Sequence, residues 1–372
     1  MINIRQYNYR RLELSLVLVV AILISIGSYL IRIVDENLFT KQLLGVFLGI
    51  VVCTVVSLID YHTICNFSIV LYGIGLLLLI LVQIPGIGVT VYGATRWLNL
   101  FFIQIQPSEI CKIIMIVVMS YYFTLFQDSI NSTKTILIGI AIMAIPILLI
   151  LIQPDLSSSL VLVFFFIIML YSAGISYKII VPFLLVAIPL VGALLWYVCQ
   201  PYQVLLDKYQ QERILALLNP EDYPDLMFQQ NKSVKIISNG KVSGLFGGGS
   251  TEDLGCKNMP IAESDFIFSA AGEVLGFIGS SVVLILLLIV VFRCLNVAKR
   301  ARDYTGRLIC IGVSAMFMFQ VFVNIGVVTR ILPNTGLPLP FISYGLSALL
   351  SYMAALGLVI NVGLQGKIKS RG

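Results

Sequence analysis

The sequence predicts an all-α integral membrane protein with about ten transmembrane helices and one large extracellular loop before the eighth. Three observations carry that expectation. Hydrophobic residues make up 59% of the 372, and charged residues only 11%, against roughly 25% charged in a soluble domain. Mean hydropathy is +1.00. Uncharged runs recur along the chain, and a helix needs about 20 apolar residues to cross a bilayer. So few charges cannot cover a soluble core of this size. The same figures exclude a disordered chain and a secreted disulfide framework.

The spans are taken in order. Leu14–Ile31 is the first, preceded by Arg5, Arg10 and Arg11. No small-residue cleavage site follows it, so it reads as a retained helix rather than a signal peptide. Gln42–Ile59 gives the second. Thr63–Thr95 holds the third plus a loop with Pro85 and several glycines. Ile113–Gln127 gives the fourth, Thr135–Pro154 the fifth, Leu156–Tyr177 the sixth and Ile179–Leu206 the seventh. Val274–Phe292, with an N-terminal extension, gives the eighth, and Leu308–Thr329 the ninth. Ile331–Gly366 holds a Pro/Gly-rich loop and the tenth. The whole chain, 1–372, reads as a single polytopic domain, with 199–264 as its large extracytoplasmic loop.

Charge placement orients the bundle. Residues 207 to 273 hold ten acids and six bases, a net charge of −4, within a chain of net +6. Basic residues collect on the cytoplasmic side of membrane proteins. Arg5, Arg10, Arg11, Lys178, the cluster Arg293, Lys299, Arg300, Arg302 and Arg307, and the tail Lys367, Lys369 and Arg371 all fall on one side. Both termini are therefore expected in the cytoplasm, and 207–273 outside. No soluble basic domain exists to bind nucleic acid.

The seven cysteines are scattered with no CxxC pair. Cys53, Cys111 and Cys310 read as small buried hydrophobes. Cys199 and Cys256 share one outer segment, and a disulfide between them is left open. His62, the single histidine, reads as a loop residue at a span end.

Ionisable groups near a membrane span are costly and functional by default, so the remaining charges form a short list. The first cluster runs Gly93-Ala94-Thr95-Arg96-Trp97, then Gln106-Pro107-Ser108-Glu109 with Lys112. Pro107 and Glu109 suit a helix N-terminus. Glu109 and Lys112, spaced i, i+3, can pair, either as a structural ion pair or as part of a site. Arg96 can grip a phosphate through its planar fork, or with Trp97 can simply anchor the interface. The second cluster is Gln153-Pro154-Asp155-Leu156, where Asp155 reads first as a helix cap. The third is Glu263-Ser264-Asp265-Phe266-Ile267-Phe268, continuing through Gly272-Glu273. A desolvated carboxylate at Asp265 can act as a general base; capping by Ser264 or Asp265 is the alternative. The fourth, Asn324 to Gly345, leads into irregular backbone dense in proline and glycine. Such backbone lies at a membrane only under protein cover or along a polar cavity. The glycine run Gly247-Gly248-Gly249-Ser250 lacks the lysine of a nucleotide P-loop.

Together these clusters resemble the SEDS family of shape, elongation, division and sporulation proteins, the group of RodA, FtsW and SpoVE. The matching pieces also include Arg213-Ile214, Leu218-Asn219-Pro220-Glu221 and Pro338-Leu339-Pro340-Phe341-Ile342-Ser343-Tyr344-Gly345. Ser57-Leu58-Ile59-Asp60-Tyr61 leans toward the RodA branch. The resemblance implies a peptidoglycan glycosyltransferase in the bacterial cytoplasmic membrane. It would polymerise lipid II into a nascent glycan strand beside a class B penicillin-binding protein, among membrane lipids. It implies Asp265 as the catalytic acid residue. It also implies Arg96, Trp97, Glu109, Lys112, Glu273 and Ser343 as substrate-binding positions. No cofactor is required by the sequence, a divalent cation is admissible, and no dedicated metal-ligand cluster is expected. The chain departs from the family pattern in places: Thr95 and Arg330 stand where arginine and glycine are usual, and Val274 replaces a glutamate. The rival expectations are a lipid II flippase or transporter, and an inactive scaffold for the penicillin-binding protein.

Overall fold

The computed structural model describes residues 13–91, 94–100, 103–200, 202–205, 208–247 and 254–365. Arg5, Arg10, Arg11, Lys367, Lys369 and Arg371, which help orient the chain, lie outside the described residues. So do Gly93 of the first cluster and Gly248, Gly249 and Ser250 of the glycine run.

Thirteen helices are described: α1 (Leu14–Val34), α2 (Glu36–Leu58), α3 (Tyr61–Asn66), α4 (Ser68–Gln83), α5 (Pro107–Leu125), α6 (Thr133–Ile152), α7 (Leu156–Ser172), α8 (Tyr177–Val198), α9 (Lys208–Leu218), α10 (Pro224–Asn239), α11 (Ile267–Arg300), α12 (Tyr304–Val328) and α13 (Leu346–Leu364). Eight are long and apolar enough to cross a membrane: α1, α2, α5, α6, α8, α11, α12 and α13. The apolar helices α4 and α7, at 16 and 17 residues, are shorter.

Aspartates and serines at the span starts supply missing backbone acceptors, as the side chain of an N-cap residue does. Asp35 caps α2, Asp155 α7, Ser176 α8 and Asp303 α12. Pro107 opens α5, where its absent N–H costs nothing. The interior is built on α5, α12 and α13, which are buried over most of their length; α2 and α6 sit at the periphery, and α8 exposes nearly all of its length. The core joins α13 to α2, α11 to α12 and α1, and α12 to α7 and α5.

Two features depart from an all-helical expectation. Residues 84–105 are not a featureless loop. They hold a three-stranded antiparallel sheet, β1 (Gly88–Val91), β2 (Ala94–Leu100) and β3 (Ile103–Ile105), in the order β1-β2-β3. Trp97 pairs with Val89, and Leu98 with both Gly88 and Ile105. β-Branched and aromatic residues here favour an extended chain, which a hydropathy window tuned to helices does not register.

The second feature is in α11, which is broken at Gly276 (φ 68°, ψ −172°). Residues 241–244 enter the break: the Phe277 amide donates to the Lys241 carbonyl (3.0 Å) and the Ile278 amide to Val242 (3.2 Å). A Cβ on Gly276 would meet the Gly244 nitrogen at 2.3 Å, and one on Gly240 would meet the Gly272 carbonyl oxygen at 1.9 Å. Glycine is therefore dictated where the two backbones cross.

The connection from α8 to α11 is folded rather than slack. Met227, Gln230, Ser233 and Ile236 recur every three residues on α10 and are buried, the spacing of one helical face. That face rests on α11 and α12: Ser233 lies 2.7 Å from the Ser269 hydroxyl and donates to the Val328 carbonyl (2.8 Å). Cys199 and Cys256 are both free thiols, so no disulfide joins them. His62 is not a loop residue but lies in α3, its Nδ1 2.9 Å from Asp60 and its Nε2 2.5 Å from Asp303.

Candidate active site

Asp265 sits in the turn just before α11. Its position is held by backbone and side-chain contacts from distant elements. Asn324 of α12 donates through Nδ2 to the Asp265 carbonyl (2.9 Å) and to the Leu337 carbonyl (2.7 Å). Asn324 thus ties the aspartate to the Pro/Gly loop. Ser343 donates to the Ser264 carbonyl (2.5 Å) and accepts from the Leu339 amide (2.8 Å), while the Tyr344 amide donates to Glu263 (2.8 Å). A Cβ on Gly336 (φ 72°) would lie 3.2 Å from the Asp265 Oδ2. The irregular loop therefore walls the carboxylate, and its glycine leaves room for it.

The carboxyl of Asp265 is pushed up to about 6, chiefly by burial. Its Oδ1 accepts from the Ser264 hydroxyl (3.2 Å), which works against that rise. The cations of Arg213 and Arg96 also pull it down, and Glu263 pushes it up. Asp265, Arg96 and Arg213 thus share one electrostatic environment.

Arg96 is half-buried on β2. It donates from Nε to the Gln153 carbonyl (3.2 Å) and from Nη2 to Pro154. Gln153 is itself fixed by donation to the Leu79 carbonyl (2.8 Å). A guanidinium carries five N–H donors, so these bonds orient Arg96 without exhausting it. Alternation along β2 turns Trp97 to the opposite face of the strand.

Asp155 caps α7 as its position suggests, accepting from the Ser158 amide (3.1 Å). Its Oδ2 also accepts from Gln106 (3.3 Å) and Ser108 (3.5 Å), which brings the first and second clusters together. The adjoining Ser157 donates to the Thr335 carbonyl (2.7 Å), which brings in the fourth.

Glu109 and Lys112 form a fully buried ion pair on α5, with Nζ 2.6 Å from Oε1. The Glu109 Oε2 is buried with no partner among the described residues. Tyr352 of α13 lies within electrostatic reach of both Glu109 and Asp265.

Glu273 is placed elsewhere. Its Oε1 accepts from the Gly255 amide (3.0 Å) and its Oε2 from the Cys256 amide (2.9 Å). Both oxygens are engaged in holding the 254–258 segment against the first half of α11. Ser343, likewise, is spent on positioning the Asp265 turn.

Sequence reasoning did not assign site roles to Arg213, Asn324 and Gly336. Arg213 donates to the Asn334 carbonyl (2.9 Å) and so pins the same loop from α9. It lay in a matched motif, Arg213-Ile214, that carried no role of its own. Among the described residues, no group of three or more His, Cys, Asp or Glu side chains is placed to hold a metal ion.

Residues 8–368 match the cell cycle protein family of FtsW, RodA and SpoVE. The chain is 37% identical over 326 residues to a probable peptidoglycan glycosyltransferase FtsW of Trichlorobacter lovleyi, covering 87% of this chain and 82% of that protein. It is 31% identical to the peptidoglycan glycosyltransferase MrdB of Escherichia coli, covering 91% and 88%. A solved structure described as the structural coordination of polymerization and crosslinking by a peptidoglycan synthase complex superposes with a TM-score of 0.80. It has 27% identity and covers 96% of this chain and 97% of that one.

Proposed function

The chain belongs to the FtsW, RodA and SpoVE family, and we propose that it is a peptidoglycan glycosyltransferase. It polymerises lipid II into glycan strands at the outer face of the bacterial cytoplasmic membrane. The observation that carries the reading is Asp265. It is a carboxyl pushed up to about 6, walled by the Gly336 loop and electrostatically coupled to Arg96 and Arg213. A base with a pKa near the working pH is ionised yet strong enough to take a proton.

The growing strand, as donor, and lipid II, as acceptor, enter from the outer leaflet. The Asp265 carboxylate takes the proton of the acceptor sugar hydroxyl. That oxygen forms a bond to the donor anomeric carbon as the bond from that carbon to the diphosphate oxygen breaks, with inversion. The lipid diphosphate departs with its negative charge. Arg96, oriented by the 153–154 carbonyls, stabilises that charge as it develops. Arg213 adds positive potential from α9. The donor diphosphate supplies the driving force, so the reaction consumes no nucleotide.

The partner is a class B penicillin-binding protein, a reading supported by the superposition on a peptidoglycan synthase complex. Cytoplasmic termini are supported by Lys299, Arg300, Arg302 and Arg307, which gather where α11 ends and α12 begins, away from Asp265. The test is lipid II polymerisation by the purified protein with its partner. Asp265→Asn is expected to lower the rate by a factor of about 10² to 10⁴, and Arg96→Ala by about 10². Full-length polymer at the wild-type rate from Asp265→Asn would remove the assignment.

A further inference from the structure

At the end of the bundle away from Asp265, a cavity of about 640 Å³ opens between the last turns of α11 and the start of α12. Three bases line it: Lys299, Arg302 and Arg307. Two other arginines of this end are already used, since Arg293 and Arg300 both pair with Glu13, at 4.0 and 3.3 Å. The three lining bases have no carboxylate partner among the described residues.

One acid, Asp303, also lines the cavity, and its oxygens are taken. Oδ1 accepts from the Tyr61 hydroxyl (2.9 Å) and the Gly306 amide (2.8 Å), and Oδ2 lies 2.5 Å from the His62 Nε2. This clasp draws the Asp303 carboxylate toward α3. Positive charge is therefore in surplus around an open cavity.

One helical turn from the charge the lining is apolar: Leu295 and Ala298 of α11 and Ile311 of α12. It continues along α11 into exposed Phe292 and Leu288, the surface that acyl chains cover in a bilayer. An occupant with both an anionic head and an apolar tail satisfies both surfaces. A small soluble anion would leave the apolar wall unused. Basic pockets between membrane helices take anionic lipid headgroups on this physical ground.

We propose that this cavity is a binding site for an anionic phospholipid. Its phosphate is held by Lys299, Arg302 and Arg307, and its acyl chain lies along Leu295 and Ile311.

The test is native mass spectrometry of the full chain in detergent, with phosphatidylglycerol, phosphatidylcholine or inorganic phosphate added separately. The wild type is expected to retain one phosphatidylglycerol with at least about tenfold preference over phosphatidylcholine. The triple variant Lys299→Gln/Arg302→Gln/Arg307→Gln should lose that preference. Arg302→Lys/Arg307→Lys, which keeps the charge, should hold it, and so should Arg300→Gln, whose native partner is Glu13. Melting temperatures measured without added lipid show whether the triple variant is folded. Equal retention of the two lipids by the wild type would overturn the proposal. So would undiminished preference in the triple variant, or loss of preference in the charge-keeping double variant. Retention of inorganic phosphate without phosphatidylglycerol would overturn it as well, because the site would then take a soluble anion.

Discussion

Asp265 is governed by opposed charges, and this makes its titration testable from both sides. A general base works only when ionised, so polymerisation should fall as pH drops through about 6. Arg213 favours the carboxylate, so Arg213→Gln should move that acid limb to higher pH. Glu263 disfavours it, so Glu263→Gln should move the limb to lower pH. Profiles of kcat/KM from pH 5 to 8 check both signs, and shifts in the same direction would sink the account. Arg330 tests the backbone instead. It occupies φ 62° just after α12, with the Ile331 amide returning to the Gly326 carbonyl (2.7 Å). That geometry closes a helix with a left-handed residue, which costs a non-glycine side chain about 1 kcal/mol. Its side chain is exposed, so Arg330→Gly should raise thermal stability by up to about 1 kcal/mol in a detergent melt. Asp265 and Arg96 were legible in the sequence because intramembrane charge is scarce. Asn324 and Gly336 were not, because their contribution is a carbonyl contact and an absent Cβ, and neither has a compositional signature.

At the scale of elements, the break in α11 is where residues 241–244 dock. The described residues between α8 and α11 are docked through glycine crossings at 240 on 272 and 244 on 276, and through the grip of Glu273 on the Gly255 and Cys256 amides. An eighth span was readable from its apolar run, but the break was not. A single glycine in a long apolar stretch looks the same whether or not a second backbone enters there. The expectation that Glu273 binds substrate came from the family motif Gly272-Glu273. The fold gives it a different partner, since both of its oxygens face the loop. Amide bonds to a charged acceptor contribute about 1.5–3 kcal/mol each. Glu273→Ala should therefore lower the melting temperature and speed amide hydrogen exchange at 254–258. Gly240→Ala, colliding with a carbonyl oxygen, should do the same to α10, at a cost of about 1–3 kcal/mol. For Glu273→Ala, a raised KM for lipid II with unchanged stability would instead return it to the substrate site.

Across the whole molecule, the bundle was legible because apolar length decides whether a helix can span, and that length can be read directly along the chain. The small sheet at 88–105 was not legible, nor was the choice of which helices are central. Hydropathy alone cannot separate a helix facing lipid from one facing other helices, since both are apolar. α8 and α12 are both apolar enough to span, yet one is almost wholly exposed and the other mostly buried. The distinguishing mark is polar residues inside an apolar run. α5 carries Glu109 and Lys112, and it packs against α4, α7, α12 and α13. A pair at the hub of the bundle can serve structure or chemistry, and the two uses predict different variants. Glu109→Gln leaves the Lys112 ammonium fully buried without its counter-charge, which should cost about 3–5 kcal/mol. Adding Lys112→Met removes that uncompensated charge and should recover most of the loss. If the pair only holds helices together, the double variant should polymerise lipid II at the wild-type rate once it is stable again. If the pair sets the field around Asp265, stability should return while polymerisation stays low. The acid limb of any residual activity should also move, because two buried charges behind the base are gone. We expect the first outcome, because the charges that act on Asp265 are those of Arg213, Glu263 and Arg96, and neither Glu109 nor Lys112 is among them. Melting curves and polymerisation assays on the same preparations decide between them.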